Sequence, residues 1–278
     1  MLSDDKLVSA INIPGTHNSA TFAKKTLLSA PGDNGKCQNQ TFESQLAHGI
    51  RFFDLRLEKH GDGFRFCHGR LISYELMLHS VFNLLKDFLK SNSREFIFVS
   101  VKEDGGDDIT KAWENKYGDE LILYEGNHFP KVKECRGKII LLSRLPNAKK
   151  GFRVAWENNT KLDLVHRDTY QYAVQDYYDV NLEQSYKKIS AITEFLAQTG
   201  DMGETTLRIC FTSSAGMYSG IETGSLNLPH PKGAADRINP IVLKELRKLP
   251  KGAEFGLLIM DFPSQELIET IVRSNRLT

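Results

Sequence analysis

Residues 96–101 read FIFVSV, and this nearly continuous apolar run decides the fold class. Residues 138–143 (KIILLS) and 256–260 (GLLIM) have the same character. A strand that is buried on both faces lacks polar alternation, which is typical of parallel sheets covered by helices. These runs therefore predict an α/β protein with a buried parallel sheet.

Outward from these runs, short strand-like segments alternate with longer amphipathic stretches along the whole chain. The predicted strands are Val8–Pro14, Phe52–Leu57, Phe96–Val101, Lys138–Leu142, Tyr172–Gln175, Leu207–Thr212 and Phe255–Met260. The predicted helices are Thr41–Ala47, Ser73–Ser91, Asp108–Leu121, Leu182–Gln198, Pro240–Arg247 and Ser264–Arg273, with Asn181 and Ser264 as N-caps and Pro240 in a first turn.

The alternation runs through 278 residues without a linker rich in proline or glycine. It predicts one domain over residues 1–278, a distorted or incomplete TIM-type (β/α) barrel. A doubly wound open sheet is the rival architecture. Neither GxGxxG nor GxxxxGK[ST] follows the first strand, which disfavours the dinucleotide-binding and P-loop forms of that rival.

Composition excludes several classes of function. The formal net charge is +1, so no overall field attracts nucleic acid, and an anionic ligand must be met by local basic residues. The four cysteines (Cys37, Cys67, Cys135 and Cys210) include no CxxC pair, which argues against a zinc finger or a thioredoxin-type site. We expect buried thiols, with two disulfides as the alternative.

Polar residues recur where the predicted strands end. In a parallel barrel, catalytic side chains come from these ends and from the loops after them. His17 lies between small residues after the first strand, and Asp54 and Arg56 share one face of the second. His68 follows a short turn. The other strand-end groups are Lys102, Glu103, Arg144, Asp176, Tyr178 and Asp261.

INIPGTHNSATF (residues 11–22), GIRFFDLRLE (49–58) and FCHGRL (66–71) together resemble the X-region of phosphatidylinositol-specific phospholipase C. The likeness continues through VSVKED, IILLSRL, QDYY and GLLIMDFP in the same order, and so spans nearly the whole chain. The DxR spacing is most similar to the small, single-domain bacterial enzymes. The resemblance implies an enzyme that cleaves phosphatidylinositol, or glycosyl-phosphatidylinositol anchors, to diacylglycerol and a cyclic 1,2-phosphodiester.

The resemblance also implies roles for individual residues. His17 matches the general base that takes the inositol 2-hydroxyl proton, and Asp261 matches the carboxylate that orients it. His68 matches the general acid for the departing diacylglycerol oxygen, with Asp54 as its expected partner. Arg56 matches the residue that contacts a phosphate oxygen. The residues that match inositol-holding positions are Lys102, Arg144, Asp176 and Tyr178.

Elementary chemistry supports this assignment. Attack by a neighbouring hydroxyl needs a base on one side of phosphorus and an acid on the other, and histidine titrates near neutrality, at about 6.5. A fixed guanidinium offers directed donors to the charge that builds on the phosphoryl oxygens.

Arg56 stands where the calcium-dependent relatives carry an acidic ligand, so we predict turnover without a metal or another cofactor. Asn18 departs from this pattern, because the metal-free bacterial enzymes typically carry aspartate after the first histidine. We expect Asn18 to accept a hydrogen bond from Arg56 instead. Because the calcium-dependent relatives carry asparagine at the position of Asn18, a calcium-dependent reaction remains the alternative.

The substrate lies in a bilayer, so the barrel mouth must contact lipid. The expected contacts are Phe152, Trp156, Met217, Tyr218 and Ile221, with Trp156 equally compatible with core packing. We expect a monomer that is secreted as a mature chain, since sequons at Asn39 and Asn158 are compatible with secretion, although a cytoplasmic location fits as well.

Two other functions remain open. A glycerophosphodiester phosphodiesterase shares the barrel and two histidines, but it needs a metal held by a Glu-x-Asp pair where this chain has Asp54 and Arg56. A non-catalytic module that binds inositol lipids could have the same fold. Pure binding, however, does not require a base and an acid with orienting carboxylates.

Overall fold

The computed structural model describes residues 2–29, 35–118, 122–198, 202–216 and 230–275. The strands are Ile13–Thr16 (β1), Phe52–His60 (β2), Gly63–His68 (β3), Ile72–Met77 (β4), Ile97–Glu103 (β5), Ile139–Ser143 (β6), Phe152–Arg153 (β7), Asp163–His166 (β8), Gln171–Gln175 (β9), Thr206–Phe211 (β10) and Leu257–Met260 (β11). The α-helices are Phe42–Ala47 (α1), Leu78–Ser91 (α2), Thr110–Tyr117 (α3), Val132–Cys135 (α4), Ser185–Ala197 (α5), Pro231–Leu246 (α6) and Gln265–Ser274 (α7).

Eight strands follow one another in the order β7-β6-β5-β2-β1-β11-β10-β9, and every neighbouring pair is parallel. Strand β8 adds to β9 in the antiparallel direction, and the β3–β4 hairpin branches from β2. Because β1 pairs with both β2 and β11, the first and the last strand of the chain lie next to each other in the sheet. The fold is therefore the incomplete TIM-type barrel that the sequence predicted.

Within the described ranges, the backbone ladder does not close between β7 and β9. Two tyrosine hydroxyls cross this gap instead. The hydroxyl of Tyr172 donates to the carbonyl of Ala155 at 2.8 Å and accepts from its N–H at 2.9 Å. The hydroxyl of Tyr170 donates to the carbonyl of Arg153 at 2.8 Å. Side chains therefore satisfy backbone groups that a closed barrel would pair strand to strand.

Two apolar layers explain the unbroken apolar runs. Phe52, Phe98 and Ile259 belong to a cluster inside the curled sheet, whereas Leu55 and Val99 pack outward with residues of α2. Alternate residues of one strand thus enter different layers, and both layers exclude water. The same alternation places Asp54 and Arg56 on the inner face with Phe52.

Several sequence predictions need correction. Val8–Ala10 forms a 3₁₀ helix, so the first strand begins only at Ile13. The predicted helix Ser73–Ser91 begins at Leu78, because the residues before it pair with β3 and bury alternate side chains. Pro240 lies inside α6, which begins nine residues earlier at Pro231.

Packing accounts for the interior proline. The buried residues Ala234, Ala235 and Ile238 continue the apolar face of α6 upstream of it, which offsets the backbone hydrogen bond that proline cannot make. Other boundaries agree with the sequence within a few residues. Ser264 caps α7 by accepting from the N–H of Leu267, as predicted, whereas Asn181 precedes a 3₁₀ turn and makes no side-chain cap.

All four cysteines are buried and free, as the sequence favoured. No helix within the described ranges is long and apolar enough to span a membrane.

Candidate active site

His17 lies immediately after β1, and both of its ring nitrogens have partners. Nδ1 lies 2.8 Å from Oδ1 of Asp261, which follows β11. Nε2 lies 2.8 Å from a terminal nitrogen of Arg56, which can only donate. Nδ1 therefore carries the proton and donates a hydrogen bond to the aspartate. Nε2 keeps the lone pair that a general base requires.

Arg56 contacts two carboxylates, Asp54 on its own strand and Asp104 just after the neighbouring strand β5. Its Nε donates to Asp54 at 3.0 Å, and one terminal nitrogen lies 3.6 Å from Asp104. Burial alone would lower the pKa of Arg56, but Asp54, Asp104 and Asp176 raise it above its usual value. The guanidinium is therefore a permanent, fixed cation beside His17.

Asp54 supports this cation from inside the barrel. The side chain is fully buried, and its Oδ2 accepts from Arg56 and from the backbone N–H of Asn18 at 3.1 Å. Burial opposes ionisation, yet Arg56, His17 and Arg144 hold the pKa of Asp54 at about 2. Asp54 is thus a carboxylate at neutral pH.

His68 differs from our expectation in its partner. We expected Asp54 to hold this histidine, but Asp54 contacts Arg56 and Asn18. Nδ1 of His68 instead lies 2.6 Å from the carbonyl oxygen of Gly35. The φ of Gly35 is +76°, and a Cβ there would lie 2.9 Å from Nδ1 of His68, so only glycine permits this approach.

The environment of His68 favours the neutral ring. Burial, followed by the charges of Arg56 and His17, lowers the pKa of His68 to about 4. The rings of His17 and His68 meet edge to face, with their centroids 6.2 Å apart. The two histidines are therefore close enough to act on one small group, with Arg56 beside them.

A second ion pair extends the site along β5. Nζ of Lys102 lies 2.8 Å from Asp104, and Asp104 also accepts from the N–H of Gly69, next to His68. Burial opposes ionisation of Asp104, but Arg56 and Lys102 lower its pKa below the usual range. Sequence reasoning missed Asp104, although its spacing from Lys102 places both on one face of the strand.

Arg144 and Asp176 meet through an aromatic ring. The guanidinium of Arg144 lies 3.9 Å from the ring centroid of Trp156, and the indole N–H donates to Asp176 at 3.0 Å. Trp156 is therefore part of the site wall. Tyr178, two residues after Asp176, is 37% exposed, so its ring is available at the rim.

Asn18 makes none of the side-chain contacts that we expected. Its backbone has a φ of +42°. The buried side-chain amide, unlike the backbone N–H, has no hydrogen-bond partner among the described residues. Arg56 takes its partners from Asp54 and Asp104 instead. The expected hydrogen bond from Arg56 to Asn18 is therefore wrong.

The membrane residues also need revision. Phe152 is 2% exposed and packs on Phe129, with the ring centroids 4.6 Å apart, so it belongs to the core. Met217, Tyr218 and Ile221 lie outside the described residues.

Two neighbouring residues near His17 carry no obvious sequence signal. The side-chain amide of Gln38 donates to the carbonyls of His17 and Met260, at 2.9 and 2.8 Å. It thereby joins the ends of β1 and β11, which carry His17 and Asp261. Next to it, Cys37 is fully buried. Both follow irregular chain, where neither periodicity nor a motif predicts an inward side chain.

The carboxylates near Arg56 do not suit calcium as they stand. Calcium needs six to eight oxygen ligands, and both Asp54 and Asp104 already pair with Arg56. A cation between them would meet the guanidinium. Metal-independent turnover stays our prediction, and this arrangement supports it.

Comparisons with known proteins agree with this geometry. Residues 11–145 match the family model "Phosphatidylinositol-specific phospholipase C, X domain". A Staphylococcus aureus (strain Newman) protein named 1-phosphatidylinositol phosphodiesterase is 27% identical, over 99% of this chain and 92% of its own length. A Listeria monocytogenes protein of the same name is 26% identical, over 99% and 83%. The X domain of this phospholipase C family is thus recognised over residues 11–145, and the similarity to these phosphodiesterases extends over almost the whole chain.

Solved structures of the family have the same fold. A variant of the Staphylococcus aureus enzyme aligns with a TM-score of 0.84 and 25% identity, covering 100% of this chain and 95% of that one. The Listeria monocytogenes phospholipase C aligns with a TM-score of 0.71 and 25% identity, covering 98% and 96%. This chain therefore has the fold of these solved phospholipases C along almost its whole length.

Proposed function

We propose that this protein cleaves phosphatidylinositol to diacylglycerol and inositol 1,2-cyclic phosphate, using His17 as the general base and His68 as the general acid. The observation that carries the proposal is the approach of the two imidazoles, 6.2 Å between centroids, beside the Arg56 guanidinium. The match to the X domain and the names of the relatives support the substrate.

The base needs one rearrangement before it can act. In the free protein, Nε2 of His17 accepts from Arg56. A phosphoryl oxygen that takes the Arg56 N–H would free Nε2 for the inositol 2-hydroxyl, while Asp261 stabilises the resulting imidazolium. Arg56 then contacts the oxygen on which negative charge builds. Substrate binding would thus free Nε2 of His17 and, by the same movement, bring the Arg56 guanidinium onto the phosphoryl oxygen.

The acid must gain a proton that it does not hold in the free protein. With a pKa of about 4, His68 is neutral at pH 7. An anionic phosphodiester beside Arg56 would offset the positive charge that contributes to this low pKa, and would therefore favour the imidazolium. The protonated ring then donates to the leaving diacylglycerol oxygen. The bound substrate would itself favour the protonated form of His68 that the reaction requires.

The decisive experiment follows phosphorus NMR during incubation with phosphatidylinositol vesicles in EDTA. A cyclic phosphate signal is expected, and His17→Ala should abolish it. A linear product that requires added metal would favour the glycerophosphodiester phosphodiesterase, and no turnover would favour the binding module. Calcium-restored activity after chelation would overturn the metal-free prediction. The same assay with a glycosyl-phosphatidylinositol anchor decides between the two candidate substrates.

We also propose the surface that contacts the membrane. Leu27, Leu28 and Leu71 are 97%, 98% and 77% exposed, and we call these three residues the leucine patch. The N–H of Thr26 donates to the carbonyl of Ser73 at 2.9 Å, which holds the segment against the hairpin that carries His68. Exposed apolar residues beside an active site are suited to entering the interface of a bilayer.

The leucine patch is tested with Leu27→Ser and Leu28→Ser combined. We expect weaker sedimentation with phosphatidylinositol vesicles and unchanged hydrolysis of a soluble inositol phosphate ester. Leu164→Ser is the matched control, since this leucine is 49% exposed on β8. Unchanged vesicle binding in the double variant would contradict this placement.

The remaining predictions concern the surroundings of the protein. We propose that it acts outside the cell, as a monomer that does not bind nucleic acid. The net charge of +1 supports the last statement, because it supplies no general attraction for phosphate backbones. Fractionation of producing cells and light scattering of the purified protein test the first two.

A further inference from the structure

A cysteine that the proposed mechanism does not use lies beside the base. A ring nitrogen of His17, Sγ of Cys37 and a carboxylate oxygen of Asp261 all lie within 4.8 Å of one another, and Nδ1 is the nitrogen that faces Asp261, at 2.8 Å. Cys37 is fully buried, and its Sγ lies 3.5 Å from the carbonyl oxygen of Gly35. The thiol therefore lies next to the pair that makes His17 a base.

The backbone holds these three residues in place. The N–H of His17 donates to Met260 at 3.0 Å, which fixes the histidine against the strand that leads to Asp261. The N–H of Phe262 donates to the carbonyl of Cys37, also at 3.0 Å. The main chain of His17 and that of Cys37 are thus hydrogen-bonded to the two residues on either side of Asp261. Little reorganisation of the main chain is needed to bring their ligand atoms onto one ion.

The donor set is one sulfur, one imidazole nitrogen and one carboxylate oxygen. Zinc accepts these three donors in tetrahedral sites, and sites with three protein ligands leave a fourth position for water. Calcium and magnesium prefer oxygen ligands alone. We propose that His17, Cys37 and Asp261 form a zinc-binding site, and that zinc bound there inhibits the enzyme.

Inhibition follows from the position of the proton. In the resting site, Nδ1 of His17 carries the proton and Nε2 is unprotonated. Zinc on Nδ1 displaces that proton, and a neutral imidazole bound through Nδ1 carries its proton on Nε2 instead. The Cys37 thiol loses its proton to solvent when it binds as thiolate. Nε2 can then no longer accept the inositol proton.

The proton that zinc binding releases to solvent comes from Cys37 and not from His17. Burial, followed by the charge of Asp261, raises the pKa of the Cys37 thiol well above its usual value, against the opposing effect of Arg56. The thiol is therefore protonated in the free protein. Zinc binding releases this proton to solvent, while the histidine proton only moves between ring nitrogens.

Binding is tested without substrate, so its outcome is independent of the proposed function. Cobalt(II) replaces zinc as the probe, because a cobalt–thiolate bond gives a near-ultraviolet charge-transfer band. We expect this band in the wild-type protein and its loss in Cys37→Ser. Cys135→Ser is the matched control, since Cys135 is equally buried and its Sγ lies 3.4 Å from the carbonyl oxygen of Val132. A wild-type protein without the band would overturn the proposal.

A second variant keeps the test informative if Cys37→Ser does not fold. His17→Ala removes the imidazole ligand itself, and we expect its cobalt affinity to fall by more than the roughly tenfold to hundredfold that loss of an outer partner of a ligand costs. Unchanged affinity would overturn the proposed ligand set.

Inhibition rests on the proposed activity and is measured with a soluble inositol phosphate ester. We expect reversible inhibition by zinc, relieved by EDTA, and a zinc concentration for half-inhibition that is at least roughly tenfold higher in Cys37→Ser than in Cys135→Ser. Equal inhibition of these two variants would overturn the proposal. Absence of inhibition where the cobalt band is present would overturn the inhibitory role alone.

Discussion

The two histidines of the site are held in different ways. His17 follows a strand of the barrel and binds Asp261, a side chain 244 positions away. His68 ends a strand of the hairpin that branches from the barrel, and it binds a backbone carbonyl, that of Gly35. The proposed base is thus oriented by a charge, and the proposed acid by a neutral dipole.

This difference matches the protonation that each role requires. A carboxylate at Nδ1 stabilises the imidazolium that forms when the base takes a proton. A general acid must release its proton, and a neutral carbonyl stabilises the charged ring less strongly than a carboxylate would. Together with burial and the charge of Arg56, this keeps the acid weakly basic until an anion binds. One residue type is therefore adapted to opposite roles by its surroundings.

Removal of the charge on the base side should have the largest effect. In Asp261→Asn, the amide can donate to Nδ1 and so favour the tautomer that carries its proton on Nε2. We expect kcat to fall roughly 10³- to 10⁴-fold, as carboxylates that orient a catalytic histidine do elsewhere. Asp87→Asn, the same change at an exposed position of α2, should leave activity unchanged. A loss below tenfold would show that Arg56 alone orients His17.

Removal of the acid should depend on the leaving group. In His68→Asn, we expect kcat for phosphatidylinositol to fall about 10²- to 10³-fold, because the leaving alkoxide needs a proton. A nitrophenyl inositol phosphate, whose leaving group needs no proton, should lose little activity. His17→Ala should lose activity with both substrates. Equal losses in His68→Asn would contradict the assignment of His68 as the acid.

The smallest effect concerns stability against pH. Because the pKa of His68 is about 4 in the folded protein against about 6.5 in an unfolded chain, only the unfolded chain takes up this proton between those values. The free energy of unfolding should therefore fall by up to about 3 kcal/mol as pH decreases from 6.5 to 4.

Denaturant unfolding at several pH values measures this effect. His68→Asn should flatten the dependence, whereas His79→Asn, at an exposed position, should not. The contribution of Asp54 is lost only at lower pH, as it protonates towards its folded-state pKa of about 2. A wild-type curve that is flat between pH 6.5 and 4 would contradict the neutral state of His68.

Apolar periodicity was sufficient for most of the fold. The runs FIFVSV, KIILLS and GLLIM became β5, β6 and β11, because continuous apolar character requires burial on both faces. It failed where alternation was short or interrupted. The sequence predicts residues 73–77 of β4 as the start of the helix that follows, since a short strand directly before a helix does not separate clearly from an amphipathic turn.

Most residues of the site could be predicted because they lie at the carboxyl ends of the strands. Parallel strands bring their carboxyl ends to one edge, so residues such as Arg56, Lys102 and Arg144 had to converge there. The pairing among them did not follow from the sequence. The sequence predicts that Asp54 holds His68, whereas Asp54 supports Arg56, and no sequence pattern indicates that Trp156 covers Arg144.

The sequence by itself determined the seven strands β1, β2, β5, β6, β9, β10 and β11, the edge at which they carry polar groups, and the two histidines proposed to act there. These properties follow from period-two alternation and strand order, which are local or topological. Only the tertiary structure decided which partner each side chain has. Partners such as Gly35 for His68 and Cys37 for the His17–Asp261 pair come from irregular segments, where positions are fixed by packing and backbone hydrogen bonds and not by any repeating pattern.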